Sequence, residues 1–194
     1  MKLSKVKKVC MEAGQIIVKK ADTGIDINTW IGTNNALYPV RGLSMNAEVA
    51  IKIWEIEQKK LMEFEILEDT EEDEARTLID REELESLDYL ADTLTDKNKD
   101  EYPGLTRIAR IDNKILMLDK KNNKAWVFRE TKLAPIEGTN LMFIPVEEGR
   151  GLMAVYSDGI LEAVIYAAAW NASDLMKETI RQIAEIYREK DEKK

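Results

Sequence analysis

Residues 30–42 read Trp-Ile-Gly-Thr-Asn-Asn-Ala-Leu-Tyr-Pro-Val-Arg-Gly, and residues 126–138 read Trp-Val-Phe-Arg-Glu-Thr-Lys-Leu-Ala-Pro-Ile-Glu-Gly. At a constant offset of 96, Trp30 aligns with Trp126, Leu37 with Leu133, Pro39 with Pro135 and Gly42 with Gly138. Ile31/Val127 and Val40/Ile136 are conservative matches. The chain holds only four Trp and four Pro, so sharing both at one spacing argues against accident. Upstream, Gln15-Ile-Ile-Val18 precedes the first stretch and Lys114-Ile-Leu-Met117 the second. Each half is therefore expected to hold a hairpin whose second strand carries the Trp and leads to Leu-x-Pro. Two ordinary hairpins, each with a Trp at a sheet–helix junction, explain the same residues without duplication.

Outward from this stretch, period and turn chemistry place the other elements. Leu3, Val6, Val9, Cys10 and Ala13 follow helical spacing with Gly14 as a stop and Ser4 as a possible cap. Gln15–Lys19 reads as a strand and Asp22-Thr23-Gly24 as a turn. Strands 26–32 and 36–40 flank Thr33-Asn34-Asn35, and Pro39 to Gly42 are expected to leave the sheet, because Pro lacks a ladder donor. Ser44 or Asn46 caps a helix to about Ile56, with Val49, Ile53 and Trp54 inward. Met62, Phe64 and Ile66 alternate with Glu63 and Glu65 as a half-exposed strand.

Six acids in residues 68–74 read as a mobile loop. Asp80 and Glu83 form a capping-box pattern for a helix with Leu84, Leu87, Leu90, Ala91 and Leu94 on one face. The polar stretch 95–104 is the expected linker between an N-terminal half, 1–94, and a C-terminal half, 105–194. In the second half, Asp112-Asn113 joins two strands, Ala125–Glu130 is a third, and Pro145 puts strand 141–146 at a sheet edge. Asp158-Gly159 is a hairpin signal between strands 152–157 and 160–167. Asn171 or Ser173 caps a final helix. The expected class is α+β, largely antiparallel, with helices packed on one face and, where the repeat reflects duplication, two related halves.

The 194 residues carry a net charge of −8. That balance argues against general nucleic-acid coating, although 29 Lys and Arg leave room for a local basic patch. No apolar run reaches membrane-spanning length and no signal-like segment follows the basic N-terminus, so a cytoplasmic protein with no membrane contact is expected. Cys10, the single cysteine, reads as a buried thiol in a reducing compartment. With no His, Ser-His-Asp and Cys-His catalysis and the usual His metal sites drop out. No phosphate-binding glycine motif is present, and Gly149-Arg150-Gly151 reads as a loop tip. The acidic pairs Glu71/Glu72 and Glu147/Glu148 lack calcium-loop spacing and read as solvated charge. No cofactor, no metal and no catalytic residue is expected.

Binding is the expectation that remains. Tyr38 and Arg41 are of types that anchor interfaces. Lys5, Lys7 and Lys8 belong to the most basic region, which an acidic partner would fit, as would plain solvation of a helix face. Trp30 and Trp126 read as core.

Two resemblances follow. Leu3-Ser4-Lys5-Val6, Trp30-Ile31-Gly32 and Ala36-Leu37-Tyr38-Pro39 resemble uncharacterised prophage proteins of Gram-positive bacteria. That implies a mobile-element origin and no activity. The repeated α+β unit is similar in outline to DNA sliding clamps, which are rings of repeated units, acidic overall, with basic helices lining the hole. Lys5, Lys7 and Lys8 would be that lining. The irregular order of helices and strands departs from the clamps' βαβββ order. The expected role is a non-catalytic phage or prophage accessory protein that binds another macromolecule, with an unknown protein as partner. The second reading is a clamp-like processivity factor forming a symmetric homo-oligomer on DNA. An enzyme using carboxylates and a divalent ion is the third.

Overall fold

A computed structural model describes residues 1–22, 27–70, 79–93, 105–119, 124–138, 141–147, 151–157, 159–167 and 181–185. The expected linker 95–104, the turn at Thr23-Gly24, most of the acidic run 68–74 and most of the final helix lie outside these residues.

Helix α1 (Leu3–Ala13) forms because Val6, Val9 and Cys10 recur on one face and are buried together. It ends where expected: Gly14 takes φ 63° and its N–H donates to Cys10 O. Its N-cap is Lys2 rather than Ser4, with no side-chain cap. Strands β1 (Gln15–Asp22), β2 (Ile27–Thr33) and β3 (Ala36–Val40) follow as an antiparallel meander. Helix α2 (Ala47–Ile53) is capped by Asn46, whose Oδ1 accepts from Val49 N at 2.8 Å. It buries Ala47 and Ala50 rather than Ile53, which stays exposed while Trp54 turns in. After α3 (Gln58–Leu61), β4 is confined to Glu65–Glu68, so Met62 and Phe64, expected in this strand, lie outside it. β4 pairs parallel to β1.

Helix α4 (Arg81–Thr93) opens on a reciprocal capping box. Glu83 N donates to Asp80 Oδ1 at 2.8 Å and Asp80 N to Glu83 Oε2 at 3.1 Å. Strands β5 (Leu105–Ile111), β6 (Lys114–Asp119) and β7 (Lys124–Arg129) make a separate antiparallel sheet, turned at Asp112 with φ 53°. Helix α5 (Glu130–Leu133), β8 (Leu141–Glu147), β9 (Leu152–Ser157) and β10 (Ile160–Tyr166) complete the order.

The main sheet runs β4-β1-β2-β3-β10-β9-β8. Its centre joins the two ends of the chain, Leu37 opposite Val164 and Ala36 opposite Ile165. Pro39 does not leave the sheet as expected; it pairs with Trp30 inside β3. The β10 ladder stops at Leu37, so the missing Pro39 N–H disturbs no bond. Pro145 does lie on an edge strand, β8, beside a register shift.

Both faces of the sheet are apolar, and helices therefore cover both rather than one. On the first face, Ile16, Ile31, Tyr38 and Val155 pack with Val6 and Cys10 of α1, Ala50 of α2, and Ile115, Met117 and Phe128 of the small sheet. On the second, Ile17, Trp30, Leu37 and Tyr156 pack with Leu84 and Leu87 of α4. Each fully buried aliphatic or aromatic side chain contributes about 1.5–3 kcal/mol. Tyr156 Oη donates to Leu87 O at 2.9 Å and Lys19 Nζ to Ile79 O at 3.0 Å, which fixes α4 in place.

The two Trp-bearing stretches share a hairpin and then diverge. Trp30 lies in β2 opposite Lys19, and Trp126 in β7 opposite Met117. Gly42 and Gly138 both take positive φ, 70° and 151°. Between them, Leu37 extends in β3 whereas Leu133 closes helix α5. Trp30 is core on the α4 face, and Trp126 is half-buried against the cluster on the opposite face.

Candidate functional site

Tyr38 is buried completely, which removes it from the surface residues expected to contact a partner. β3 is covered on both faces, and the Tyr38 hydroxyl donates to Lys132 O at 2.7 Å, tying β3 to α5. Burial holds its pKa well above 10, with the neighbouring Cys10 adding in the same direction. Cys10 Sγ donates to Gly32 O at 3.3 Å, and burial pushes its thiol up to about 12. The thiol is therefore an inert core group at neutral pH.

The remaining expected contacts come from two places in the chain, the residue after β3 and helix α1. Arg41 is exposed, and its Nη2 donates to Leu161 O at 2.6 Å on β10. Lys5 and Lys8 are exposed on α1, with Lys8 4.0 Å from Glu12. Lys7 is half-buried and its ammonium donates to Trp54 O, docking α1 on the end of α2. The chain start is also tied down: the Met1 ammonium lies 3.1 Å from Glu137 Oε2, which holds that carboxyl below its ordinary range together with Lys2.

Two features went unread in the sequence. The first is a run of exposed large apolar residues between β3 and the sheet edge. Leu43, Ile53 and Ile66 are each substantially exposed and Met62 is 90% exposed. All four come from the segment that carries α2, α3 and β4, and β4 ends the sheet. Helical spacing points Ile53 inward and strand alternation puts Met62 and Ile66 on a covered face, so neither pattern marks these residues as exposed.

The second is a cleft of about 280 Å³ where both halves of the chain meet. Glu12 of α1, Thr33 and Asn35 of the β2–β3 turn, and Arg129, Thr131 and Lys132 of the β7–α5 junction line it. The walls are fixed by backbone bonds, Tyr166 N to Asn35 O at 2.9 Å and Ala167 N to Gly151 O at 2.8 Å. Lys132 is only 8% exposed, and its Nζ donates to Tyr166 O at 3.2 Å. Burial, then the charge of Arg129, lowers its pKa to about 8. Nothing in Thr-Lys-Leu-Ala-Pro marks this lysine as interior before the fold is known.

Among the described residues no group of three or more acidic or thiol side chains is placed to hold a metal ion, and no helix is long and apolar enough to cross a membrane. No protein-family model, curated protein or solved structure matches the chain.

Proposed function

We propose that the chain is a non-catalytic accessory protein of phage or prophage origin that binds another protein through the segment carrying α2, α3 and β4. The observation that supports this reading is Met62, 90% exposed, with Ile53 and Ile66 exposed on the same segment. Single apolar residues on a surface need no explanation, but several on one segment beside a sheet edge are the pattern of an interaction site. The β4 edge adds a second attraction. β4 bonds to β1 on one side, and among the described residues no strand pairs with its other side. Such an edge offers backbone donors and acceptors to an incoming strand.

Affinity capture with wild type and Met62→Glu as baits, read by mass spectrometry, tests the reading. A phage or host protein retained by wild type and lost from the variant is the expected result. Identical capture by the two baits defeats it. The clamp-like reading has one feature in its favour, the exposure of Lys5 and Lys8 on α1. Light scattering at low and moderate salt separates the two. A closed oligomer of fixed size favours the clamp, and a monomer removes it.

A further inference from the structure

We infer that the cleft between α1, the β2–β3 turn and the β7–α5 junction binds a small molecule through a compact oxyanion, a phosphate or a carboxylate, held between Arg129 and Lys132. The inference is independent of the protein-binding surface, which lies on another segment. Three observations carry it.

The first is charge. Two cations, Arg129 and Lys132, line one small cavity together with a single carboxylate among the described residues, Glu12. Glu12 is itself 4.0 Å from Lys8, which shares its charge. Lys132 responds to burial and to Arg129, both of which disfavour its charge, and to no nearby acid. Like charges that outnumber the acid facing one space are relieved by an anion bound there.

The second is donor supply. The Lys132 ammonium has three donors, and Tyr166 O takes one of them. Arg129 is exposed, and its guanidinium makes no ion pair or hydrogen bond with another described residue. Its planar fork matches two oxygens of a carboxylate or phosphate, whereas Lys132 supplies a point charge from the buried side. Thr131 and the exposed Asn35 offer further polar groups at the mouth.

The third is size and rigidity. About 280 Å³ lies just under the range of roughly 300–1,000 Å³ usual for drug-sized ligands, so the occupant is small. Lys132 is held at two points, its carbonyl by the Tyr38 hydroxyl and its ammonium by Tyr166 O, while an exposed ion pair, Arg110 Nη2 2.7 Å from Glu130 Oε2, ties down the start of its helix. A cation fixed before the ligand arrives loses little freedom on binding.

The test titrates inorganic phosphate and, separately, succinate into the full chain at constant ionic strength, read from backbone amide shifts in two-dimensional NMR. Saturable shifts centred on Asn35 and Thr131 with at least one probe are expected. Arg129→Gln and Lys132→Met each weaken that binding at least tenfold, roughly the worth of one charge-assisted hydrogen bond. Lys59→Met on exposed α3 leaves it unchanged. Arg129 is on the surface, so its variant folds even where Lys132→Met does not. Shifts that fail to saturate with both probes overturn the inference, as does wild-type affinity in either cleft variant.

Discussion

Raising the pH from 8 to 10 separates the wild type from Cys10→Ala by an amount the structure sets. The thiol lies in the core between α1 and β2 with no exposure, and burial moves it from 9.0 to about 12. In the unfolded chain the thiol ionises from about pH 9, whereas the folded protein keeps it neutral. Its stabilisation is therefore complete below pH 9 and is lost as the pH climbs toward about 12. Linkage gives a loss of about 1.4 kcal/mol between pH 8 and 10 and a limit of roughly 4 kcal/mol. Cys10→Ala lacks this loss, and its smaller side chain lowers stability by a similar amount at every pH, on the order of 1 kcal/mol. Tyr38 shifts in the same direction but from an ordinary value of 10.0, so its main contribution comes above the window. Lys132, lowered to about 8, gains stability with rising pH over this window, equally in both proteins, and cancels in the difference. Urea unfolding followed by tryptophan fluorescence at pH 8, 9 and 10 measures the gap between the two. The gap should move in favour of the variant by about 1.4 kcal/mol. Curves that stay parallel within about 0.3 kcal/mol would refute the burial of this thiol as described.

Three further substitutions probe the ties between elements. Tyr38→Phe strips the donor from Lys132 O and should cost about 1–3 kcal/mol. Calorimetry would read this as a drop of roughly 2–4 °C in Tm per kcal/mol, and an unchanged Tm means the hydroxyl holds nothing. Gly32→Ala places a Cβ 2.0 Å from Ala36 O across the tight β2–β3 turn. A loss of more than about 3 kcal/mol is expected, seen as a lowered urea midpoint or insoluble protein, and a wild-type midpoint contradicts the register. Asp69→Ala removes a buried carboxylate that accepts from Lys20 N at 2.9 Å and from Arg81 Nη2 at 3.2 Å. Because Arg81 is part-exposed, about 2–3 kcal/mol is expected, and amide exchange should rise first in α4. Unchanged protection there speaks against Asp69 as its anchor.

Local chemistry was legible in the sequence wherever one or two residues decide it. Gly14 stopping α1, Asn46 capping α2, the Asp80–Glu83 box and the Asp112 turn all act within a few positions of themselves. What escaped depends on residues far apart in the chain. Pro39 looked incompatible with a strand because nothing local tells that the β10 ladder ends at Leu37. Ile53 follows buried Ala47 and Ala50 at helical spacing, but α2 ends there and Trp54 takes the inward place. Tyr38 has the composition of a contact residue, and its fate is set by a carbonyl 94 positions away. The cleft was invisible for the same reason, since Asn35, Arg129 and Tyr166 converge through tertiary pairing alone.

The meeting of β3 with β10 also sets an order of events at synthesis. Ala36 is made early and finds its ladder partner in Ile165, near the far end of the chain. At a translation rate of about 5–20 residues per second, roughly 6–26 s separate the two. During that interval β3, apolar on both faces, stands at an open edge of a half-built sheet. A nascent chain in that state is a substrate for chaperones and prone to pair with copies of itself. Ribosome-stalled lengths ending before β10 are where this protein is most exposed to misassembly.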